Sequence, residues 1–369
     1  MSIPFVDLKI QYHSIKPEID KAIQDCLENT SFIGGPLLKN FEKSFAELFQ
    51  NKYVLGVSSG TSALHLALKA YNIGNGDEVI LPVNTFIATS EAVTSVGAKP
   101  IFADIDENTF NIDTSKILPL INSKTKAIIP VHLYGQPADM NPILDIATKN
   151  GLVVIEDAAQ AHCAEYFNKK IPFSETACFS FFPGKNLGAY GDAGAVVTQN
   201  EEINNMIFMY RDHGREPGEK YKSKIEGFGH RLDSLQAAIL SVKLKYINQW
   251  TEMRRRNAKL YNKLLEDVAE CITPIEMPNA KHVYHLYVIK AKKRNELQAY
   301  LASKGISTGI HYPIPLHLQP AYSHLNIKKG AYPVAEKVSE EILSLPMYPE
   351  LSEENINFIV SEIKSFYNN

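Results

Sequence analysis

Along the first two-thirds of the chain, short apolar runs alternate with longer stretches whose apolar positions recur every three or four residues. The runs at 53–57, 78–81, 99–103, 126–131, 152–156, 177–181 and 193–198 are rich in aliphatic residues, and Gly, Pro, Asn or Asp stands near their ends. They read as strands. Segments 62–71, 89–96 and 140–149 lie between them with helical periodicity. Strand, helix, strand repeated in this way predicts an α/β protein built on a doubly wound, mostly parallel seven-stranded sheet with helices on both faces.

After about residue 245 the pattern changes. Segment 249–266 is strongly charged and helical, and is expected to form a long exposed helix bridging two domains. Beyond it, 285–290 reads as a strand, and 293–303, 336–343 and 353–366 as helices. The Pro-rich stretch 312–320 is expected to be irregular. The division predicted is a large α/β domain over 1–245 and a smaller α+β domain over 246–369.

Composition narrows the class. A chain of 369 residues exceeds the usual span of one core, and 45% hydrophobic positions exclude a disordered protein. The balance of 38 Lys+Arg against 41 Asp+Glu gives a net charge of −3, which argues against a nucleic-acid-binding surface. Cys26, Cys163, Cys178 and Cys271 are scattered, so neither a metal cluster nor a disulfide framework is expected. The N-terminus lacks a signal-peptide pattern and no apolar run is long enough to span a bilayer. A cytoplasmic enzyme without membrane contact is the expectation.

Three segments carry chemistry. In VLGVSSGTSALHLALKAY (54–71) a strand runs into Ser58, Ser59, Gly60, Thr61 and Ser62 at the start of a helix. Free amides and the positive dipole end there suit a phosphate, although Ser59 or Thr61 could simply cap the helix. In LVVIEDAAQAH (152–162) Asp157 ends a strand, with a helix expected after it. A carboxylate at the carboxyl edge of such a sheet can hold a protonated ring nitrogen, or merely cap that helix, and Gln160 lies close enough in sequence to reach the same ligand. In CFSFFPGKNLGAYGDAGA (178–195) Lys185 stands among aromatic residues, Pro and Gly. Desolvation there would lower its pKa and free the amine as a nucleophile; the alternative is a surface lysine on a Gly-rich loop.

A phosphate holder, an acid for a ring nitrogen and an amine for an aldehyde together describe pyridoxal 5′-phosphate, which has those three handles. Phe86, in LPVNTFIAT (81–89), could stack on its ring.

On these motifs, together with FVDLKIQY, FIGGP, HRLDSLQAAIL and GIHYPIPLHLQPAY, the chain resembles the DegT/DnrJ/EryC1/StrS family of pyridoxal-phosphate-dependent nucleotide-sugar aminotransferases, almost end to end. The resemblance implies fold type I, with Lys185 as the lysine that carries the cofactor and Asp157 on its pyridinium. It implies Gln160 at the 3-hydroxyl, Gly60, Thr61, Ser62 and Ser180 on the phosphate, and Phe86 stacking. It implies transfer of nitrogen from glutamate to a keto group on a nucleotide-linked sugar, by a homodimer with shared active sites. The segment PGKNLGAYGD (183–192) is similar to the subgroup that aminates C3 of dTDP-3-keto-6-deoxyhexoses. Enzymes that aminate C4 more often carry a His a few residues before the lysine, where this chain has Phe182 and Pro183. Tyr190, Lys220, Tyr221, His311 and Tyr312 are the residues expected to meet the sugar nucleotide, or else are solvated side chains. Many relatives carry Asn where this chain has Gly229, contributed across the dimer to the cofactor phosphate; here another donor, such as the Gly229 backbone, is expected to replace it, or the contact is missing. A non-catalytic regulator on the same fold is the reading from another class; retention of both Lys185 and Asp157 speaks against it.

Overall fold

The computed structural model describes residues 2–50 and 52–368. Seven strands form one sheet: β1 (Tyr53–Val57), β2 (Glu78–Pro82), β3 (Lys99–Ala103), β4 (Thr125–Ile128), β5 (Val153–Asp157), β6 (Thr176–Ser180) and β7 (Gly194–Thr198). Their order across the sheet is β1-β7-β6-β5-β4-β2-β3. Strand β7 runs antiparallel to both neighbours and every other pairing is parallel. All seven predicted strands are present in the expected sheet, each within a few residues of its predicted ends.

The helices of this part are α1 (Leu8–Glu28), α2 (Gly35–Phe49), α3 (Gly60–Ala70), α4 (Ala88–Ser95), α5 (Met140–Asn150), α6 (Glu201–Arg211) and α7 (Ser234–Leu244). Sheet and helices share two large apolar clusters, one on α3 and one on α2 and α7. In the second, Phe45 lies 5.3 Å from Phe179 and 5.2 Å from Phe181, both edge-on. Such pairs contribute about 0.5–1.5 kcal/mol each beyond the area they bury. They seat the segment that leads to Lys185.

The C-terminal part holds α8 (Ile247–Leu265), β8 (Cys271–Ile272), β9 (Tyr287–Ala291), α9 (Arg294–Ser303), α10 (Pro333–Glu341), β10 (Ile342–Leu345) and α11 (Glu353–Asn368). The three strands form a sheet in the order β8-β9-β10, antiparallel throughout. Ile3, from the start of the chain, is buried in the same cluster as Tyr261, Tyr287 and Ile363.

Three expectations are corrected. No helix follows Asp157: residues 158–164 make successive tight turns, with the Ala161 amide on the Ala158 carbonyl and the Ala164 amide on the Ala161 carbonyl. The alanines favour a helix, but Asp157 draws the Ala159 amide onto its own side chain and starts a turn instead. The charged helix α8 is not simply exposed, since Trp250, Arg254, Asn257, Ala258, Tyr261 and Leu265 form a buried stripe at helical spacing. Segment 336–343 is not one helix; α10 ends at Glu341 and the chain passes directly into β10, where all four residues are buried.

Candidate active site

The site gathers at the carboxyl ends of β5 and β6, where an α/β sheet opens its crevice. At the start of α3, Ser59 caps the helix and accepts from the Ser62 amide at 3.0 Å. The Ala63 amide bonds to the Ser59 carbonyl, so the amides of Gly60 and Thr61 are the ones left over in the first turn. The turn is pressed against its neighbours. A Cβ on Gly60 would lie 2.7 Å from the Ser180 Cβ, and one on Gly194 2.4 Å from the Ser59 backbone. Glycine is required at both positions because the cradle has no room for a methyl group.

Asp157, at the end of β5, is 6% exposed. Its carboxylate accepts from the Thr89 hydroxyl at 2.8 Å and from the Ala159 amide at 3.1 Å. Burial pushes its pKa up, while Thr89, Ala159 and the charge of Lys185 pull it down. Lys185 lies on a turn after β6, and its amine has no hydrogen bond or ion pair among the described residues. Burial pushes that amine down to about 8, with Asp157 acting in the opposite sense. A buried carboxylate and a desolvated amine therefore sit within electrostatic reach of one another.

Gln160 is fixed at both ends, its Oε1 accepting from the Tyr134 amide at 2.7 Å and its Nε2 donating to the Tyr312 hydroxyl at 3.1 Å. The Tyr134 hydroxyl donates to the His311 carbonyl. Phe86 is 53% exposed and its ring stands 5.7 Å from that of Tyr312. His311 accepts from or donates to the Ser344 hydroxyl at 2.9 Å through Nδ1, and burial and Lys185 lower its pKa to about 4. Gly229 pairs with Asp212, and the next residue, His230, takes the Ser58 amide on its carbonyl at 3.0 Å. It thus lies beside the cradle, and a Cβ there would meet only the His213 ring at ordinary contact distance.

Lys185, Asp157, Gln160, Phe86, His311 and Tyr312 are thus linked by hydrogen bonds, ring contact and charge, and the Gly60–Ser62 turn lies against Ser180 at the end of β6. Tyr190, Lys220 and Tyr221 are not brought to this group within the chain. Tyr190 packs against Tyr12 and Lys243. Lys220 stands over the ring of Tyr221, which is 88% exposed on the loop after α6. Sequence reasoning missed Thr89 and Tyr134. The one local sign of Thr89 is its spacing from Thr85, a helical turn earlier, whose hydroxyl lies 3.0 Å away.

The donor set fits pyridoxal phosphate handle by handle. Unused amides at a helix start suit the phosphate, an unpaired amine the aldehyde, a buried carboxylate the ring nitrogen and an exposed Phe the ring face. Fold and site together define a pyridoxal-phosphate-dependent enzyme of the aminotransferase type. The chain belongs to the DegT/DnrJ/EryC1/StrS aminotransferase family, whose model matches residues 13–364. Among curated proteins, a "Pleiotropic regulatory protein" of Geobacillus stearothermophilus is 47% identical over 100% of this chain and 99% of its own. The dTDP-3-amino-3,6-dideoxy-alpha-D-galactopyranose transaminase of Aneurinibacillus thermoaerophilus is 42% identical over 99% of each chain. Among solved structures, S. venezuelae DesV in complex with a ketimine intermediate superposes with a TM-score of 0.97 at 38% identity, covering 100% of this chain and 99% of that one. The Bacillus subtilis protein ntda with bound cofactor PMP gives 0.93 at 33% identity, over 100% of this chain and 86% of that one.

Proposed function

We propose that this aminotransferase moves the amino group of glutamate to C3 of a dTDP-3-keto-6-deoxyhexose, as a homodimer that completes its active sites across the subunit interface. The observation that supports the aminotransferase chemistry in this reading is a Lys185 amine without hydrogen bond or ion pair among the described residues, within electrostatic reach of the buried carboxylate of Asp157. The cofactor, when bound, supplies an electron sink for the carbon that loses and regains a proton. Lys185 would hold it through its amine, and the free Nζ is the base that would take up and return that proton. Asp157 keeps the ring nitrogen charged, held ready by Thr89 and the Ala159 amide. Gln160 orients the ring hydroxyl, Phe86 covers a ring face, and Gly60, Thr61, Ser62 and Ser180 bind the phosphate. Gly229 would lend its backbone to the phosphate across the subunit interface.

His311 and Tyr312, beside Gln160 and Phe86, are assigned to the nucleotide-linked sugar. Lys220 and Tyr221, which no contact among the described residues brings to Lys185, are assigned to the nucleotide-linked substrate in the neighbouring subunit's site, and Tyr190 to the sugar. The division into 1–245 and 246–369 remains part of the proposal. Support for C3 comes from relatives named for 3-amino sugars, which include both dTDP-linked and UDP-linked transaminases. The alternative, amination of C4 of a 4-keto-6-deoxy sugar, keeps every assignment except the orientation of the sugar. Of the 47% relative's printed name, only regulation can be read; retention of Lys185 and Asp157 in this chain supports catalysis.

The test is incubation of the purified protein with glutamate and, separately, dTDP-3-keto- and dTDP-4-keto-6-deoxyhexoses, followed by NMR of the products. Nitrogen on C3 of the first sugar is the expected result. Nitrogen only on C4 of the second overturns the C3 assignment, and no transfer to either overturns the substrate class.

A further inference from the structure

The loop that carries Lys185 is gripped from two sides by side chains that the chemistry above leaves unused. Residues 181–189 close on themselves, with the Lys185 amide on the Phe182 carbonyl and the Ala189 amide on the Phe181 carbonyl, both at 2.8 Å. Gly188 is packed so closely that a Cβ there would lie 2.2 Å from the Pro183 carbonyl oxygen. The Gly188 carbonyl itself accepts a bond of 2.7 Å from Nζ of Lys243, on α7. Lys243 is 1% exposed, and its ammonium stands 4.2 Å from the centroid of the Tyr190 ring. On the other side, Asn186 donates to the Val283 carbonyl at 3.1 Å and its Oδ1 lies 3.2 Å from Nδ1 of His285. The residues flanking Lys185 are thus tied to two distant parts of the chain.

Burying a lysine without a contact carboxylate is costly. Its pKa is pushed down to about 8 by burial, with only the through-space pull of Glu350 opposing. A neutral donor would satisfy one carbonyl at lower cost, whereas a charge-assisted bond is shorter and about twice as strong. A flexible four-carbon lysine is an effective nucleophile only if its backbone is held still, since misplacing a reacting group by ~1 Å can cost ~10²-fold in rate.

We propose that Lys243 is a positioning residue for the reaction: its bond to the Gly188 carbonyl locks the 181–189 loop and so keeps the Lys185 amine opposite Asp157. The proposal rests on the reading of Lys185 given above. Its test is Lys243→Met, which keeps the bulk and removes the donor. In the cofactor-free protein, hydrogen exchange at the Lys185 and Ala189 amides should quicken by about tenfold or more, with amides of α9 and α11 unchanged. In the loaded enzyme kcat should fall about tenfold or more, with KM for the keto-sugar within about twofold. Lys243→Arg keeps a charged donor and should retain the slow exchange. If Lys243→Met does not fold, Lys243→Gln, a neutral and shorter donor, is measured in the same way and should shift in the same direction. Wild-type exchange at these two amides in a folded variant overturns the proposal, as does acceleration spread evenly over the chain, which marks a merely structural role. Failure of the underlying reading shows elsewhere, as a Lys185→Ala protein that still holds the cofactor covalently, whatever stands at 243.

Discussion

Lys185 and Asp157 show how far single residues could be read. Each stands in a contiguous motif whose residue types announce the chemistry: an amine among aromatic rings, a carboxylate ending an apolar strand. What places them was not legible, because their partners come from far along the chain. Thr89 precedes Asp157 by 68 positions, and Tyr312 follows Gln160 by 152. No local pattern encodes such pairings; they exist only once the sheet has brought the segments together. The pH behaviour of Lys185 belongs to this scale. Its pKa falls from 10.5 to about 8 because burial penalises the ammonium. The penalty on folding is therefore present below about 8 and is relieved as the pH rises from there towards 10.5. The free amine is the reacting form, so the rate at which cofactor-free protein takes up pyridoxal phosphate should climb with pH up to about 8 and then level. Stopped-flow absorbance measures this, and a rate that keeps climbing well past pH 8 towards 10.5 would contradict the depressed pKa.

Elements were read well where their periodicity was strong and poorly where packing overrode it. All seven strands of the large sheet were visible as apolar runs, because a strand covered on both faces must be apolar throughout. Helices α1, α2, α6 and α7 were not identified. In α1 the pattern is broken by Pro17 and by the non-helical backbone of Ile15. In α7 nearly every side is buried, so no polar face marks the period. The helix expected after Asp157 failed for a different reason, since one side-chain bond from Asp157 redirected a stretch of good helix formers. The contact of β7 with the start of α3 carries a prediction. Gly194→Ala places a methyl group 2.4 Å from the Ser59 backbone, which can yield only by moving the cradle. Overpacking of this kind costs about 1–3 kcal/mol, and the shifted amides should weaken pyridoxal phosphate binding by about tenfold, one factor of ten being ~1.4 kcal/mol. Thermal unfolding and fluorescence titration check both; unchanged affinity would mean that the cradle does not hold the phosphate.

Seen whole, the chain carries a near-neutral charge of −3, which does not oppose the proposed anionic sugar nucleotide, because helix N-termini and a few local cations suffice. None of the described helices is long and apolar enough to cross a membrane. Lys220 and Tyr221 extend from the surface without a role in their own subunit, which the proposed homodimer supplies. Light scattering coupled to size exclusion should therefore give about twice the 41.3 kDa chain mass; a strict monomer with full activity would contradict shared sites.

The claim on which the rest depends is that Lys185 is the amine that holds the cofactor. Borohydride reduction of the yellow protein, followed by proteolysis and mass spectrometry, fixes the pyridoxyl group on whichever lysine bears it. The expected result is one modified peptide, with the label on Lys185 and none in Lys185→Ala protein. A label on another lysine, or equal labelling of the variant, would contradict it.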